Sequence, residues 1–292
     1  MTPPSLGFRS PAAVAGEAAG SLSLSVARRG DRTHPTRTVS AGVLRLMRAL
    51  YLDDSGQITY IVINPGGAYF GETYRIDVDV QPGAHLLLAN QGATRIYRTP
   101  EAPAVQVGAF TVGAGSRLEY MPDQTIAYRE ADYRQTTTLT VAPDAQAFFG
   151  EIITPGWDPE GARFTYAGMR LRIDVHTDGG LVCTDNLRIT PATIGPAING
   201  IGYMEGFSHL GSALVLGRHV ASPDYTDAVR GLVESCGLDR VGVTAGERHG
   251  VAWLMVRALA GSTDALSALL LDLNELDRFH TTGQGRLDLR RY

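Results

Sequence analysis

The 292-residue sequence contains no lysine, since all 26 of its basic residues are arginine. Schiff-base catalysis and the phosphate-binding P-loop both require a lysine side chain, so the composition excludes both. Only two cysteines are present, Cys183 and Cys236, which are too few for a disulfide framework and fit a reducing cytosol. No apolar run approaches the roughly 20 residues that a membrane-spanning helix needs.

Residues 1–20 lack the continuous apolar core and the early basic residues of a signal peptide, and their proline, alanine and glycine content predicts a flexible tail. The chain also lacks a strong charge of either sign. Its net charge is −4, with 44% apolar and 19% charged residues, which is typical of a folded globular protein. This balance gives no reason to expect nucleic acid or an anionic membrane as a partner, and we expect a cytoplasmic protein.

Strand patterns are abundant between residues 21 and 220. Short segments there alternate apolar and polar side chains, or are continuously apolar, and turn residues separate them. The predicted strands are residues 21–27, 58–64, 74–80, 84–90, 104–112, 117–122, 136–142, 147–153, 169–177 and 181–189.

Two predicted helices lie near the C-terminal end. Residues 222–236 begin with a serine–proline pair, which suits an N-cap followed by the first helical position. Residues 262–279 begin with a serine N-cap and place leucines at helical spacing. Residues 239–260, between the helices, have the pattern of a β-hairpin.

These patterns predict a mainly β protein with large, barrel-like or β-helical sheets and a C-terminal helix–hairpin–helix element. We predict a single domain over residues 21–292, in which a β region (21–220) is followed by an α+β part (221–292). The proline- and glycine-rich stretch at 189–206 is the best candidate for an internal boundary. No sequence repeat is evident.

The glycine-rich segment at residues 64–72 could cradle a phosphate or could simply turn the chain. A dinucleotide-binding loop needs G-x-G-x-x-G followed by a helix. Here the glycines are Gly66, Gly67 and Gly71, so the spacing differs, and the residues that follow have the period of a strand. We therefore interpret the segment as a connection between two strands, with glycines at backbone angles that a side chain would forbid.

Candidate catalytic carboxylates lie on ordinary alternating strands. Asp77 and Asp79 share one strand face about 7 Å apart, within the range used by inverting glycosidases. Asp174, His176 and Asp178 also share a strand face and could form a carboxylate–imidazole site. Because a half-exposed strand produces such sets without any function, we favour solvated strand faces for both.

Other catalytic signatures are missing from the sequence. It contains no C-x-x-C, H-E-x-x-H or G-x-S-x-G motif. Cys183 lies in an apolar strand and is interpreted as a packed thiol. His209 and His219 are too far apart for a local chelate and are expected in loops or at the surface. The sequence therefore favours a binding or assembly protein over an enzyme.

Three stretches together resemble one family. Residues 64–98 contain an Asn-Pro-Gly-Gly turn, a strand, a Pro-Gly-Ala turn and the segment QGATRIYR. Residues 118–156 contain a Pro-x-x-Thr-Ile strand and then an aromatic–Glu strand followed by glycine-containing turns. Residues 171–191 contain an arginine-rich strand, a turn and a strand of the type Asp-x-Leu-x-Ile. In this order, the pattern is similar to that of the urease accessory protein family UreD, also called UreH.

The resemblance implies a largely β protein that is a chaperone of urease maturation and not an enzyme. Members of the family bind the urease apoprotein together with UreF- and UreG-like accessory proteins, and the UreG-like partner hydrolyses GTP. The family implies no tightly bound cofactor but transient nickel(II), which is proposed to pass through a tunnel inside the UreD-type protein.

Transit of nickel requires weak, spaced oxygen ligands, because a tight cage would prevent release. On this basis the predicted transit positions are Glu72, Gln91, Thr94 and Glu151. Glu151 is the most notable of these because a carboxylate in an apolar strand is costly to bury. Structural or interface roles are predicted for Gly66, Gly67, Gly71, Tyr97 and Arg98.

Two alternatives remain open from the sequence. One is a β-sheet carbohydrate-active hydrolase that uses the carboxylates at Asp77 and Asp79 or the Asp174–His176 pair. The other is a β-rich interaction module without a role in metal transfer.

Overall fold

The computed structural model describes residues 18–63, 68–286 and 288, so most of the predicted tail and the glycines Gly66 and Gly67 lie outside the described residues. The strands are β1 (Gly20–Arg29), β2 (Arg32–Gly42), β3 (Arg45–Leu46), β4 (Ile58–Ile63), β5 (Ala68–Tyr69), β6 (Thr73–Val80), β7 (His85–Asn90), β8 (Thr94–Ile96), β9 (Ala104–Val112), β10 (Arg117–Met121), β11 (Thr125–Ala127), β12 (Asp132–Val141), β13 (Gln146–Ile153), β14 (Gly168–Thr177), β15 (Gly180–Ile189), β16 (His209–Leu216), β17 (Arg240–Arg248) and β18 (Val251–Ala260). The α-helices are α1 (Pro191–Ile194), α2 (Pro223–Ser235) and α3 (Thr263–Thr282), and 3-10 turns span Gly195–Asn199 and Arg218–Ala221.

The chain winds back and forth between two sheets. Sheet A has the strand order β15-β14-β12-β9-β6-β1-β2, and the main path of sheet B is β17-β18-β16-β13-β10-β7-β4-β3. Successive coils place β6, β9, β12 and β14 in parallel in sheet A and β4, β7, β10 and β13 in parallel in sheet B. The short strands β5, β8 and β11 pair in parallel along a third side. The prediction of a mainly β, β-helical architecture is therefore confirmed.

All ten predicted strands are present, and the predicted hairpin forms β17 and β18. Strand β12 begins at Asp132, four residues earlier than predicted. Six strands were not predicted from local patterns, namely β2, β3, β5, β8, β11 and β16, although the family resemblance implies a strand at the Pro-x-x-Thr-Ile segment, where β11 lies. Strand β2 contains Pro35 and is mostly exposed because it lies at the edge of sheet A. Strands β3, β5, β8 and β11 have two or three residues each, too few to show a period.

The two long helices form where the sequence predicts them. The Ser262 hydroxyl accepts a hydrogen bond from the Ala265 amide and caps α3, and Gly283 ends that helix with a φ of 71°. Helix α2 starts with Pro223 at its first position. The stretch at 189–206 carries α1 and a 3-10 turn, which were not predicted, and connects β15 of sheet A with β16 of sheet B.

Hydrophobic side chains are buried in two layers. The first layer lies between the sheets and includes Tyr74, Ile76, Val78 and Val80, the inward residues of β6. The second layer lies between sheet B and helices α2 and α3, where leucines of α3 pack on Phe148 and its neighbours. Because the middle strands of sheet B are covered on both faces, burial is nearly continuous along them and does not alternate, and β7 is apolar at successive positions.

Four charged side chains are buried between sheet B and α3, and we call them the helix-anchoring network: Arg117, Glu119, Asp277 and Arg278. Arg117 Nη2 lies 2.7 Å from Glu119 Oε1 and 2.7 Å from Asp277 Oδ2, and Arg278 Nη1 lies 2.8 Å from Glu119 Oε2. Each of the four side chains is at most 1% exposed. The network fixes the helix on the sheet because each charge has an opposite partner on the other element.

His219 and Tyr225 complete this network from the region around α2. His219 Nε2 lies 2.7 Å from Asp277 Oδ1, and the Tyr225 hydroxyl donates to the same oxygen at 3.0 Å. His219 lies in the 3-10 turn between β16 and α2, but not at the surface, because its side chain is 13% exposed and bonded to a buried carboxylate.

The buried arginines determine the ionisation of the network's carboxyls. Burial raises the pKa of the Glu119 carboxyl, but Arg117 and Arg278 outweigh burial and hold that pKa below its usual value. Burial likewise raises the pKa of Asp277, and Arg117 and His219 together reverse the shift. Both carboxyls are therefore ionised at neutral pH.

Gly71 lies against the backbone of a neighbouring loop. A Cβ at this position would lie 2.3 Å from the Ala102 carbonyl oxygen, so no side chain fits without a shift. The segment lies between β4 and β6, as predicted, but it also carries the short strand β5, and Gly71 is not among the residues with positive φ. The sequence-based explanation by unusual backbone angles is therefore wrong for Gly71, and close approach of two backbones replaces it.

Replacing Gly71 with alanine should lower the free energy of unfolding by about 1–3 kcal/mol, because the Ala102 backbone must move. Gly92→Ala is the matched control, since a Cβ there would have no neighbour within 4 Å. Urea unfolding of both variants measures the difference. Equal effects of the two substitutions would contradict the contact with Ala102.

Candidate functional site

A row of polar side chains crosses the apolar interior between the two sheets. Tyr74 of β6, Gln106 of β9 and Gln135 of β12 are direct neighbours, because the parallel register pairs them across sheet A. From sheet B, Glu151 of β13 points toward them between the apolar side chains of Phe149 and Ile153. The Gln135 Nε2 donates to Glu151 Oε1 at 2.6 Å and so joins the two sheets.

Hydrogen bonds continue from Gln135 along sheet A. Gln106 Nε2 donates to Gln135 Oε1 at 3.3 Å, and the Tyr69 hydroxyl donates to Gln106 Oε1 at 3.1 Å. The Tyr133 hydroxyl also donates to Gln135 Oε1, at 2.9 Å. Together, Tyr69, Gln106, Tyr133, Gln135 and Glu151 form what we call the interior polar row. Hydrogen bonds connect the row without a break from Tyr69 to Glu151.

Glu151 lies beside a small cavity of about 40 Å³. At about 10–15 Å³ for each water, this space holds only a few water molecules. Burial raises the pKa of the Glu151 carboxyl to about 7, although the hydrogen bond from Gln135 acts in the opposite direction. The nearby Asp185 raises this pKa further and Arg257 lowers it. Glu151 therefore exchanges a proton near neutral pH.

An ion pair lies next to Glu151 on the side of β15 and β18. Arg257 Nη2 is 2.6 Å from Asp185 Oδ2, and Arg257 belongs to the same lateral row of sheet B as Glu151 and Ser212. Arg257 also lines a larger cavity of about 500 Å³ between β15, β17, β18 and residues 198–205. The Arg257–Asp185 pair thus separates the small cavity at Glu151 from the larger one.

Tyr69, at the other end of the interior polar row, borders a cavity of about 180 Å³. Gln91 and Thr94 line this cavity, and the Asn90 side-chain amide donates to Thr94 Oγ1 at 3.4 Å. The ring of Tyr69 stacks on that of Tyr74, with centroids 3.7 Å apart. The interior polar row therefore connects the cavity at Thr94 with the cavities at Glu151 and Arg257.

Three of the four predicted transit positions lie along this line, namely Gln91, Thr94 and Glu151. Glu72 does not line any of these cavities, and its side chain is exposed. Its carboxylate bonds to the interior through the Tyr74 hydroxyl, which donates to Glu72 Oε2 at 3.3 Å. The structure thus brings together three of the positions and leaves Glu72 at the surface.

Tyr97 and Arg98 lie on the third side of the coil. Tyr97 belongs to a ladder of rings that runs from Phe70 through Tyr97 and Tyr128 to Trp157, with centroid distances of 5.3, 4.7 and 4.8 Å. Arg98 forms an exposed ion pair with Glu130. The ladder links successive coils, so Tyr97 contributes to the stability of the fold.

The candidate catalytic carboxylates lie on the outer face of sheet A and are paired. Asp77 Oδ2 is 2.7 Å from Arg75 Nε, and Asp174 Oδ2 is 2.7 Å from Arg172 Nε. The Asp77 side chain is 36% exposed, as expected of a solvated strand face, whereas the Asp174 side chain is only 16% exposed and also accepts a hydrogen bond from the Thr184 hydroxyl. Burial raises the pKa of the Cys183 thiol to about 12, as expected of a packed thiol.

Sequence reasoning missed the amides and hydroxyls that make the interior polar row continuous, as well as the Asp185–Arg257 ion pair. The available signal was an amide at an inward position of an alternating strand, such as Gln106 in AVQVGAFTV. Within residues 18–63, 68–286 and 288, no three His, Cys, Asp or Glu side chains gather in an arrangement that could hold a metal ion. In the same part of the chain, no helix is long and apolar enough to cross a bilayer.

Comparison with known proteins gives a consistent result over nearly the whole chain. The family model of the UreD urease accessory protein matches residues 18–290. The chain is 46% identical over 280 residues to the urease accessory protein UreD of Arthrobacter sp. (strain FB24), and the match covers 94% of each chain. It is 42% identical over 285 residues to the UreD protein of Paenarthrobacter aurescens (strain TC1), covering 95% of this chain and 96% of that relative. A third relative, UreD of Actinomyces naeslundii, is 42% identical over 274 residues.

Proposed function

Because the chain belongs to the UreD family of urease accessory proteins, we propose that it is a chaperone that helps to insert nickel into the urease apoprotein. It acts without catalysing a reaction of its own. Its partners are the urease apoprotein and UreF- and UreG-like accessory proteins. The absence of lysine, and hence of a P-loop, is in keeping with GTP hydrolysis by the UreG-like partner.

The observation that carries the nickel proposal is the continuity of the interior polar row. It offers hydroxyl, amide and carboxyl oxygens from the cavity at Thr94 to the cavity at Glu151, through an interior that is otherwise apolar. Oxygen ligands bind divalent nickel more weakly than imidazole or thiolate. A row of such ligands favours the passage of nickel over its storage, because the ion moves from one weak oxygen ligand to the next at a low cost in free energy.

Glu151 supplies the negative charge for this passage. A carboxyl with a pKa of about 7 is shared between proton and metal at neutral pH, so nickel displaces a proton on arrival and is displaced by one on departure. The few waters that fit beside Glu151 mean that an ion must lose most of its hydration shell there. The neighbouring Asp185 adds a second carboxylate within the same region.

The direct test is to express the cognate urease genes and the other accessory genes at limiting nickel, with and without this chain. Urease activity and nickel bound per purified urease are both measured. We expect both to fall strongly without the chain and to return when it is supplied again. Full activity and full nickel loading without the chain would contradict the proposal.

A further inference from the structure

The outer face of sheet A, which points away from the interior polar row, carries a concentration of arginines on the strands β6, β12, β14 and β15. These arginines are Arg75, Arg134, Arg170, Arg172 and Arg188. The same face also carries Asp77, Asp79, Asp132 and Asp174, so a local excess of positive charge remains only where an arginine has no carboxylate neighbour. Such a local excess of one sign attracts ligands of the opposite sign.

Three of the five arginines have a carboxylate two residues away on their own strand. Arg75 pairs with Asp77 at 2.7 Å, and Arg172 pairs with Asp174 at 2.7 Å. Arg134 Nη2 lies 2.8 Å from Asp132 Oδ2. These ion pairs neutralise most of the positive charge on β6, β12 and the middle of β14.

Arg170 and Arg188 differ from the other three. Among the described residues, neither has a carboxylate partner, and Arg170 bonds only to the Asn186 side chain, with Nε donating to Oδ1 at 3.1 Å. The antiparallel register places Arg170 directly opposite Arg188, and the parallel register places Arg134 on the other side of Arg170. Like charges in direct cross-strand contact destabilise a sheet. This arrangement therefore favours an anion between the guanidinium groups.

Arg134, Arg170 and Arg188 line one surface concavity of about 300 Å³, together with Asp132, which already pairs with Arg134. With strands about 4.8 Å apart, the three side chains extend over roughly 10 Å. One small oxyanion fits either between Arg134 and Arg170 or between Arg170 and Arg188, but not in both places. Two carboxylates on neighbouring turns of a helix, or at alternate positions of a strand, occupy both places. Guanidinium groups bind carboxylates in paired hydrogen bonds, which makes arginine well suited to this role.

We propose that Arg134, Arg170 and Arg188 form a docking surface for an acidic segment of a partner protein. The segment presents at least two carboxylates, which pair with Arg170 and Arg188 and relieve their mutual repulsion. This surface is independent of nickel transit, so it stands or falls separately from the interior polar row.

Fluorescence anisotropy with labelled hexaglutamate as the probe tests this proposal at low salt. The Arg170→Gln/Arg188→Gln double variant loses two exposed ion pairs with the peptide. We therefore expect it to bind hexaglutamate about 5- to 30-fold more weakly than the wild type. The matched control is Arg37→Gln together with Arg48→Gln, which removes the same charge from exposed arginines outside the concavity. The control should weaken binding by less than about twofold, and added salt should weaken binding to the wild type.

Thermal unfolding of the Arg170/Arg188 double variant should show unchanged or higher stability, because the substitutions remove a like-charge contact. Three results would overturn the proposal. The wild type could fail to bind hexaglutamate. The control could lose as much affinity as the test variant, which would indicate only a net-charge effect. Inorganic phosphate could displace the peptide at the same concentration as free hexaglutamate does, which would identify a free oxyanion as the ligand.

Discussion

Replacing Arg117 with methionine is expected to lower the free energy of unfolding by about 3–5 kcal/mol at neutral pH, because it leaves a buried carboxylate without its cation. Arg117 contacts both Glu119 and Asp277 at 2.7 Å, and none of the three side chains is more than 1% exposed. Glu119 retains Arg278 in the variant, but Asp277 retains only His219 and Tyr225. Methionine fills most of the volume of arginine with a flexible apolar chain. The loss in the free energy of unfolding therefore arises mainly from removing the positive charge and much less from forming a cavity.

The cost of Arg117→Met should shrink as the pH falls. In the wild type, the pKa values of Glu119 and Asp277 are held below their usual values, so the stability that they contribute is present above about pH 4 and is lost below it. In the variant, burial without the guanidinium raises the pKa of Asp277, and protonation removes the uncompensated charge. The stability curves of the two proteins should therefore converge in acid.

Urea unfolding at neutral and acidic pH measures this difference. Arg230→Met is the control, because Arg230 pairs with Asp227 on the surface of α2, where both side chains are at least 65% exposed. Such a pair contributes no more than about 0.5 kcal/mol. If Arg117→Met proves too unstable to purify, Asp277→Asn breaks the same buried ion pair by removing its negative member. A loss as small as that of the control, or one independent of pH, would contradict the account of the network.

Replacing Glu151 with glutamine is expected to stabilise the protein above neutral pH and to impair nickel delivery at the same time. Burial raises the pKa of Glu151 to about 7, so ionisation in the folded state is unfavourable. A glutamate in the unfolded chain has a pKa of about 4.3. The wild type therefore loses stability as the pH rises from about 4.3 to about 7, whereas the glutamine variant does not. We expect the variant to be about 1–3 kcal/mol more stable than the wild type above pH 7 and equally stable near pH 4.3. This free-energy difference is set below the full value of the pKa shift because the Glu151 side chain is partly exposed.

Urea unfolding across this pH range checks the stability of the Glu151→Gln variant. Glutamine retains an oxygen that accepts from Gln135 Nε2, so the hydrogen bond at 2.6 Å in the wild type need not be lost. Glu72→Gln serves as the control, because it makes the same substitution at an exposed side chain outside the interior polar row. A stability difference that is constant with pH would argue against the burial of an ionisable carboxyl at position 151.

Local sequence patterns were sufficient for most of the fold. Strand β6 alternates because one of its faces is solvated, and α3 shows its cap and its leucine spacing directly. The short strands on the third side of the coil escaped prediction because two or three residues carry no period. The coil itself was not visible as a repeat, since the coils share strand register but not residue identities.

The site was predictable only in part, for a related reason. Glu151 could be selected because a carboxylate in an apolar strand is rare. Gln106 and Gln135 are 29 residues apart in the chain, and only the parallel register makes them neighbours. The helix-anchoring network also depends on long-range contact, since 160 residues separate Arg117 from Asp277. A single sequence without a visible repeat does not show which strands pair or in which register they do so.

The measurement that tests the central claim most directly is nickel bound per urease after maturation at limiting nickel with the Glu151→Gln chain. The wild-type chain, the Glu72→Gln chain and cells without the chain are measured in parallel, and copurification shows that each variant still assembles with its partners. We expect Glu151→Gln to approach the level without the chain, and Glu72→Gln to remain close to wild type, because only Glu151 lies on the interior polar row. Normal nickel loading with a properly assembled Glu151→Gln chain would contradict transit along this row.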